Sequence, residues 1–76
     1  MTIKELDAVA LVVDVPERGL KAGDVGAVVH VHASGVIEVE FIAASGHTHS
    51  LMELSAHQWR PVDRNDLLAV RHTDAA

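Results

Sequence analysis

Four of the six histidines in this 76-residue sequence form two pairs with a spacing of two, His30 with His32 and His47 with His49. Residues two apart on a β-strand point to the same face, so each pair presents two imidazoles side by side. Glu38 and Glu40 lie between the pairs with the same spacing. If Ala33-Ser34-Gly35 is a three-residue hairpin loop, position 32 faces 36 and His30 stands beside Glu38. If residues 43 to 46 form the next loop, 42 faces 47 and His49 stands beside Glu40. One outward face then gathers His30, His32, Glu38, Glu40, His47 and His49. Imidazole and carboxylate are first-row metal ligands, suited to zinc, nickel or copper. A metal needs three or four donor atoms ~2 Å from one point, whereas strand rows project in parallel. The expectation is therefore a solvated polar face that binds metal adventitiously, with a surface metal site as the alternative.

Other chemistry finds fewer parts. Ser34 and Ser45 sit between Ala and Gly, where turn geometry already explains them. No Gly-x-Ser-x-Gly elbow exists, and Gly19, Gly23 and Gly26 lack the spacing of a phosphate loop. An exposed strand face gives Glu38 and Glu40 no desolvation to separate their acidities, so they make a poor acid–base pair. The absence of cysteine excludes disulfides, thiol catalysis and cysteine zinc sites together. Six Lys and Arg against eleven Asp and Glu give a net charge of −5, with no basic cluster, which disfavours nucleic acid. Trp59 and Phe41 are the only aromatics, too few to line a groove for proline-rich peptides. Trp59 reads as a core plug, with an exposed binding anchor as the alternative. No enzyme activity and no cofactor are expected.

Short strands must position these residues. Leu6 to Val13 is dense in Val, Leu and Ala and predicts a first strand. The stretch from Asp14 to Asp24 holds one Pro, two Gly and several charges, the composition of a loop, with Val15 and Leu20 to pin it to the core. Val25 to His32 alternates, and its apolar set Val25, Val29 and Val31 predicts the inward face; Gly26 marks a bulge or bend. Val36 to Ile42 sets Ile37, Val39 and Phe41 against Glu38 and Glu40. The tripeptide Ala-Ser-Gly recurs from 33–35 to 44–46, as in a meander of short strands. His47 to Leu54 predicts a fourth strand, Ser55 to Gln58 a helical turn capped by Ser55, and Trp59 to Val62 a last strand. The predicted core is Val9, Leu11, Val13, Leu20, Val25, Val29, Val31, Ile37, Val39, Phe41, Met52, Leu54, Trp59 and Val62. Asp66 to Arg71 is expected as a sixth, edge strand, with a helical turn as the alternative. The order of these features predicts an all-β fold: an SH3-like, partly open small barrel of five strands over residues 1–72, with a frayed tail at 73–76.

The stretch Leu6-Asp7-Ala8-Val9-Ala10-Leu11, Pro16 and the run Gly19-Leu20-Lys21-Ala22-Gly23-Asp24-Val25-Gly26-Ala27-Val28-Val29 are similar to a bacterial family, domain of unknown function 4926. Val39-Glu40-Phe41 and Gln58-Trp59-Arg60-Pro61-Val62 also resemble its pattern, so the resemblance spans roughly residues 4 to 72. More distantly, the Gly-Asp-x-Gly-x-Val element looks like SH3-like barrels such as the nitrile hydratase β-subunit domain and the photosystem I subunit of that fold. The resemblance implies a fold and supplies no activity. Trp59 stands where the pattern has an aliphatic residue, and the histidines are no part of it.

A chain this short buries only ~60% of the surface its unfolded form exposes, and an acidic small barrel without a catalytic set reads as a protein-interaction module. The expected role is an accessory, immunity or antitoxin-like partner of a neighbouring gene product, with metal handling by the histidine face or nucleic-acid binding as alternatives. Leu67, Leu68 and Val70 are apolar enough to meet a protein partner or to pair with a second copy as a homodimer. The mixed charges of the first residues do not fit a secretory signal, and the longest apolar run, Ala8 to Val13, falls far short of the ~20 residues a membrane helix needs. Cytoplasmic residence is the expectation by default.

Overall fold

The protein is seen in a computed structural model that describes residues 2–73. Apart from Thr73, the expected frayed tail lies outside the described residues. Five strands are present: β1 (Ala8–Leu11), β2 (Val25–Val31), β3 (Ile37–Ile42), β4 (Thr48–Leu54) and β5 (Trp59–Pro61). They form one antiparallel sheet in the order β4-β3-β2-β1-β5, so β4 and β5 are its two edges and the sheet is not closed. No described helix is long and apolar enough to cross a membrane.

β1 is shorter than its apolar run. Leu6 takes a left-handed φ of 74° in a tight turn, where the Asp7 amide bonds the Lys4 carbonyl and Lys4 in turn donates to Asp7 Oδ2. Extended pairing begins only after that turn. The long loop is closed by reciprocal backbone bonds between Val15 and Leu20, at 2.9 and 3.1 Å, around a 3₁₀ turn at Pro16–Arg18. Pro16 supplies a helical φ at the first position, and Gly19 ends the turn at φ 67°, a conformation glycine adopts freely. Val15 and Leu20 are both buried, so the loop is part of the core.

β2 turns over relative to the expected face. Val25, Val29 and Val31 are more than one-third exposed, whereas Val28 is fully buried. Gly26 explains the inversion. Its backbone lies against Val39 and Phe41, and a Cβ there would come within 2.4 Å of Val39 Cγ1. The glycine is the inward position, and by alternation Val28 follows it. The register then shifts between Val28 and His30, and the two valines beyond are left at the surface.

The core consists of Val9, Leu11, Val15, Leu20, Val28, Ile37, Val39, Phe41 and Leu54, with Ile3, Val13, Met52 and Trp59 packed against it. Trp59 is half-buried, and its Nε1–H donates to the Gly35 carbonyl at 2.9 Å, tying the start of β5 to the β2–β3 hairpin. Before β5, Ser55 to Gln58 is a turn rather than a helix. The Gln58 amide bonds the Ser55 carbonyl at 2.9 Å, while the Ser55 hydroxyl bonds the Gln58 side chain and caps no helix. The 3₁₀ turns lie elsewhere, at Pro16–Arg18 and Ala33–Gly35.

The expected sixth strand over Asp66 to Arg71 does not form. Pro61 has no N–H, so the β5 edge cannot support a continued ladder. The following residues fold into a turn, with the Asp66 amide on the Asp63 carbonyl at 3.0 Å, and this turn directs the chain away from β5.

Candidate functional site

The residues after β5 form an arm fastened at two points. Near its start, Arg60 makes a two-pronged bond to Asp66, both contacts at 2.8 Å, and Asp66 Oδ2 also accepts the Asp63 amide. Near its end, Arg71 Nε donates to Asp24 Oδ1 at 3.0 Å, and its Nη2 reaches both Asp24 and the Gly19 carbonyl. Between these clasps no backbone hydrogen bond joins residues 67–73 to the rest of the described chain. The side chains there turn outward: Leu67 is 95% exposed, Leu68 72% and Val70 101%. Leu67, Leu68 and Val70 are therefore aliphatic side chains left exposed on a stretch whose backbone pairs with no other described strand. Beside the arm runs an open groove of about 690 Å³, lined by Val25, Phe41, Ile42 and Ala43 on the sheet side and by Leu68 and Val70 on the arm side.

Both clasps depend on ionised carboxylates. The Arg60 fork, joined by the Asp63 amide, holds the Asp66 carboxyl at about 2. For Asp24 partial burial pushes upward, but bonds from Arg71 and the Lys21 amide outweigh it and leave the acidity below the ordinary value. A depressed carboxyl pKa contributes stability above its unfolded value, ~3.9, that is lost as pH falls through the folded value. Acidification from pH 4 towards about 2 is therefore expected to open the Arg60–Asp66 clasp and free the start of the arm before the sheet unfolds, because Asp66 then protonates. Amide and side-chain shifts of residues 63–71, followed by NMR during acid titration, test this; arm signals that stay fixed until global unfolding would refute it.

The sequence-derived histidine face is only partly assembled. His30 pairs with Glu38 across β2 and β3, as expected. His30 and His32 share a face, with ring centroids 4.5 Å apart at 68°. Glu40 does not meet His49. It pairs with Leu51, and Ile42 pairs with Thr48 rather than His47. His49 is the extra residue where the register shifts between Phe41 and Ile42. Its ring turns to the long loop instead, and Nε2–H donates to the Arg18 carbonyl at 2.8 Å. Glu40 accepts a bond from the Thr48 hydroxyl, and His47 is exposed at the hairpin end.

The shifted register brings in a residue the sequence reading missed: Glu53 lies directly opposite Glu38. His32 Nε2 stands 3.6 Å from Glu38 Oε1 and 3.8 Å from Glu53 Oε2. Matching apolar residues would have found this register. It sets Ile37 against Leu54 and Val39 against Met52, whereas the expected one leaves Val39 opposite Ser50. Among the described residues no group of three or more His, Asp or Glu side chains is placed where it could hold a metal ion.

A second open groove, about 990 Å³, lies between the long loop and the β3–β4 hairpin, lined by Asp14, Arg18, Lys21, His47, His49 and Arg71 among others. Its cations are largely engaged: Arg18 donates to the buried Ser50 hydroxyl at 3.0 Å, and Arg71 holds Asp24. No described buried side-chain polar atom lacks a partner.

A family model, a domain of unknown function named DUF4926, matches residues 5–61, well over half of the chain. The chain belongs to this family. The DUF4926 match runs from within the first turn to Pro61, the last residue of β5, and so covers the whole sheet. The arm that carries Leu67, Leu68, Val70 and Arg71 lies beyond the matched span, although the sequence resemblance was expected to reach residue 72. No curated protein and no solved structure matches the chain, so the expected likeness to the nitrile hydratase β-subunit and photosystem I domains has no match behind it.

Proposed function

We propose that this DUF4926 protein is a non-enzymatic protein-interaction module that binds its partner through the C-terminal arm. The observation that carries this reading is the exposure of Leu67, Leu68 and Val70 on a backbone left unpaired between two ion-pair clasps. Each aliphatic side chain buried at an interface contributes about 1.5–3 kcal/mol, so three of them supply a useful share of a binding free energy. The partner adds an extended, apolar segment along the arm and fills the groove beside Val25 and Ile42. The net charge of −5 favours a partner whose surrounding surface is basic.

The double variant Leu68→Asp with Val70→Asp tests the assignment. Both side chains are exposed, so the variant should melt within about 0.5 kcal/mol of the parent. It should nevertheless lose a partner that the parent retains from native lysate. Equal recovery of that partner by both proteins would refute the reading, as would a melting loss of several kcal/mol, which would mean that the arm packs on its own sheet. Light scattering identifies the partner as a second copy if the pure chain has twice the monomer mass and deletion of residues 66–76 restores the monomer.

A further inference from the structure

The two edges of the sheet, β4 and β5, are not alike. The His32 amide bonds the Val36 carbonyl, and bonded pairs recur at every second residue of an antiparallel ladder, so Glu38 turns its backbone groups towards His30 on β2. Ile37 and Val39 then turn theirs towards Leu54 and Met52 on β4. Leu51 and Glu53 are left with N–H and C=O groups that point away from the sheet, and no described backbone group bonds them. On β5 the Val62 amide bonds the Ala8 carbonyl and the Val12 amide bonds the Gln58 carbonyl, so Trp59 and Pro61 face the open side. Pro61 has no N–H to offer there, and β5 is only three residues long. Short length and proline are means by which natural proteins blunt a sheet edge. β4 runs for seven residues with neither Pro nor Lys, and the register shift at His49 lies near its start.

We propose that β4 pairs antiparallel with β4 of a second copy across a two-fold axis through Met52, joining two five-stranded sheets into one. In that register Leu51 of each copy faces Glu53 of the other, so every N–H and C=O left free on these residues gains a partner. The Met52 side chains, half-buried at the rim of the core, meet on the inner face and continue the core from one copy into the next. Neighbouring registers fit worse. An axis through Glu53 sets two like charges directly opposite each other. An axis through Leu51 calls on His49, the extra residue of the register shift, whose ring is held by the Arg18 carbonyl. A head-to-tail contact from β4 to β5 of the next copy would build rings or fibres, but β5 lacks the donor at Pro61. The two-fold pairing closes at two copies. One strand pair buries less than a standard interface of ~1,600 Å², so the association is weak and depends on concentration.

Light scattering and amide hydrogen exchange over a dilution series of the purified chain test the pairing. The mass should rise to twice that of the monomer at the highest soluble concentration, and the Leu51 and Glu53 amides should become protected over the same range. Leu51→Pro removes an N–H that serves no bond within the chain, at the kind of edge position where proline is tolerated. Leu51→Glu keeps the N–H and sets a carboxylate against Glu53 of the other copy. Both variants should stay monomeric, with the Glu53 amide unprotected. Leu51 is 50% exposed, so Leu51→Glu should melt close to the parent at high dilution, and its lost association is then not unfolding. Deletion of residues 66–76 should leave the dimer intact, which separates this contact from one made by the arm. The chain has no cysteine, so Met52→Cys places a single thiol on the axis, at the close Cα spacing of a non-hydrogen-bonded pair, and air oxidation should link two copies. The proposal is overturned if the parent stays monomeric throughout, if Leu51→Glu dimerises like the parent, if the deletion abolishes the dimer, or if Met52→Cys forms no linked dimer.

Discussion

Replacing Phe41 with alanine should destabilise the protein by about 3–5 kcal/mol, the largest effect expected of any single truncation here. Phe41 is the one buried aromatic ring of the core and is 3% exposed. It sits where β3 crosses the sheet, against Gly26 on one neighbouring strand and opposite Ser50 on the other. The buried side chains around it are mainly β-branched Val and Ile together with Leu, held by the sheet, so the space left by the ring is refilled only in part. A domain of this size has only about 4–11 kcal/mol in total, so the variant should be largely unfolded or melt far below the parent. Circular dichroism during urea titration checks this. A midpoint equal to that of the parent would show that the ring is not part of the packing.

Adding one methyl group at Gly26 should be nearly as harmful, at about 1–3 kcal/mol or somewhat more. The sign is unusual. Alanine in a strand interior is ordinarily better than glycine, because it loses less backbone freedom and offers a side chain to pack. Gly26 also has no left-handed conformation that would demand glycine. The cost comes from contact alone: the new Cβ would lie 2.4 Å from Val39 Cγ1, 3.0 Å from the Glu40 carbonyl oxygen and 3.0 Å from Phe41 Cδ1. Val39 is fully buried and stiff at χ1, and a backbone carbonyl cannot step aside without breaking the β2–β3 ladder. Gly23→Ala is a useful contrast, because nothing lies within 4 Å of its Cβ and only its φ of 96° would be strained. Equal or greater stability for Gly26→Ala would mean that β2 does not present Gly26 to the core.

The same glycine shows where the sequence could be read and where it could not. Alternation in β3 is unambiguous, since Ile37, Val39 and Phe41 are separated by two glutamates, and all three are buried. In β2 valine occupies both faces, so hydrophobicity counts favour the wrong one. What decides the matter is the absent side chain at position 26, a property that only the packing of its neighbours reveals. The histidine face failed at a similar point. Strand parity placed His30 beside His32 correctly, but a loop one residue longer than expected and the extra residue at His49 together moved the β3–β4 register by two positions. Such a slip preserves which face each residue occupies while changing its neighbours, so Glu53 replaced Leu51 opposite Glu38. The arm was legible only as an apolar segment of uncertain form. Its lack of pairing follows from Pro61 at the β5 edge, from the local Arg60–Asp66 clasp and from the Arg71–Asp24 clasp, which joins residues 47 apart in sequence.

Site-specific photo-crosslinking in living cells tests the interaction role most directly. A photoreactive amino acid placed at Leu68 should trap one defined protein, and placement at Val70 should trap the same one. Placement at Glu5, which is exposed but remote from the arm in sequence, serves as the control. A discrete adduct from positions 68 and 70 that is absent from position 5 is the expected result. No adduct from the arm, or the same unselective mixture from all three positions, would contradict it.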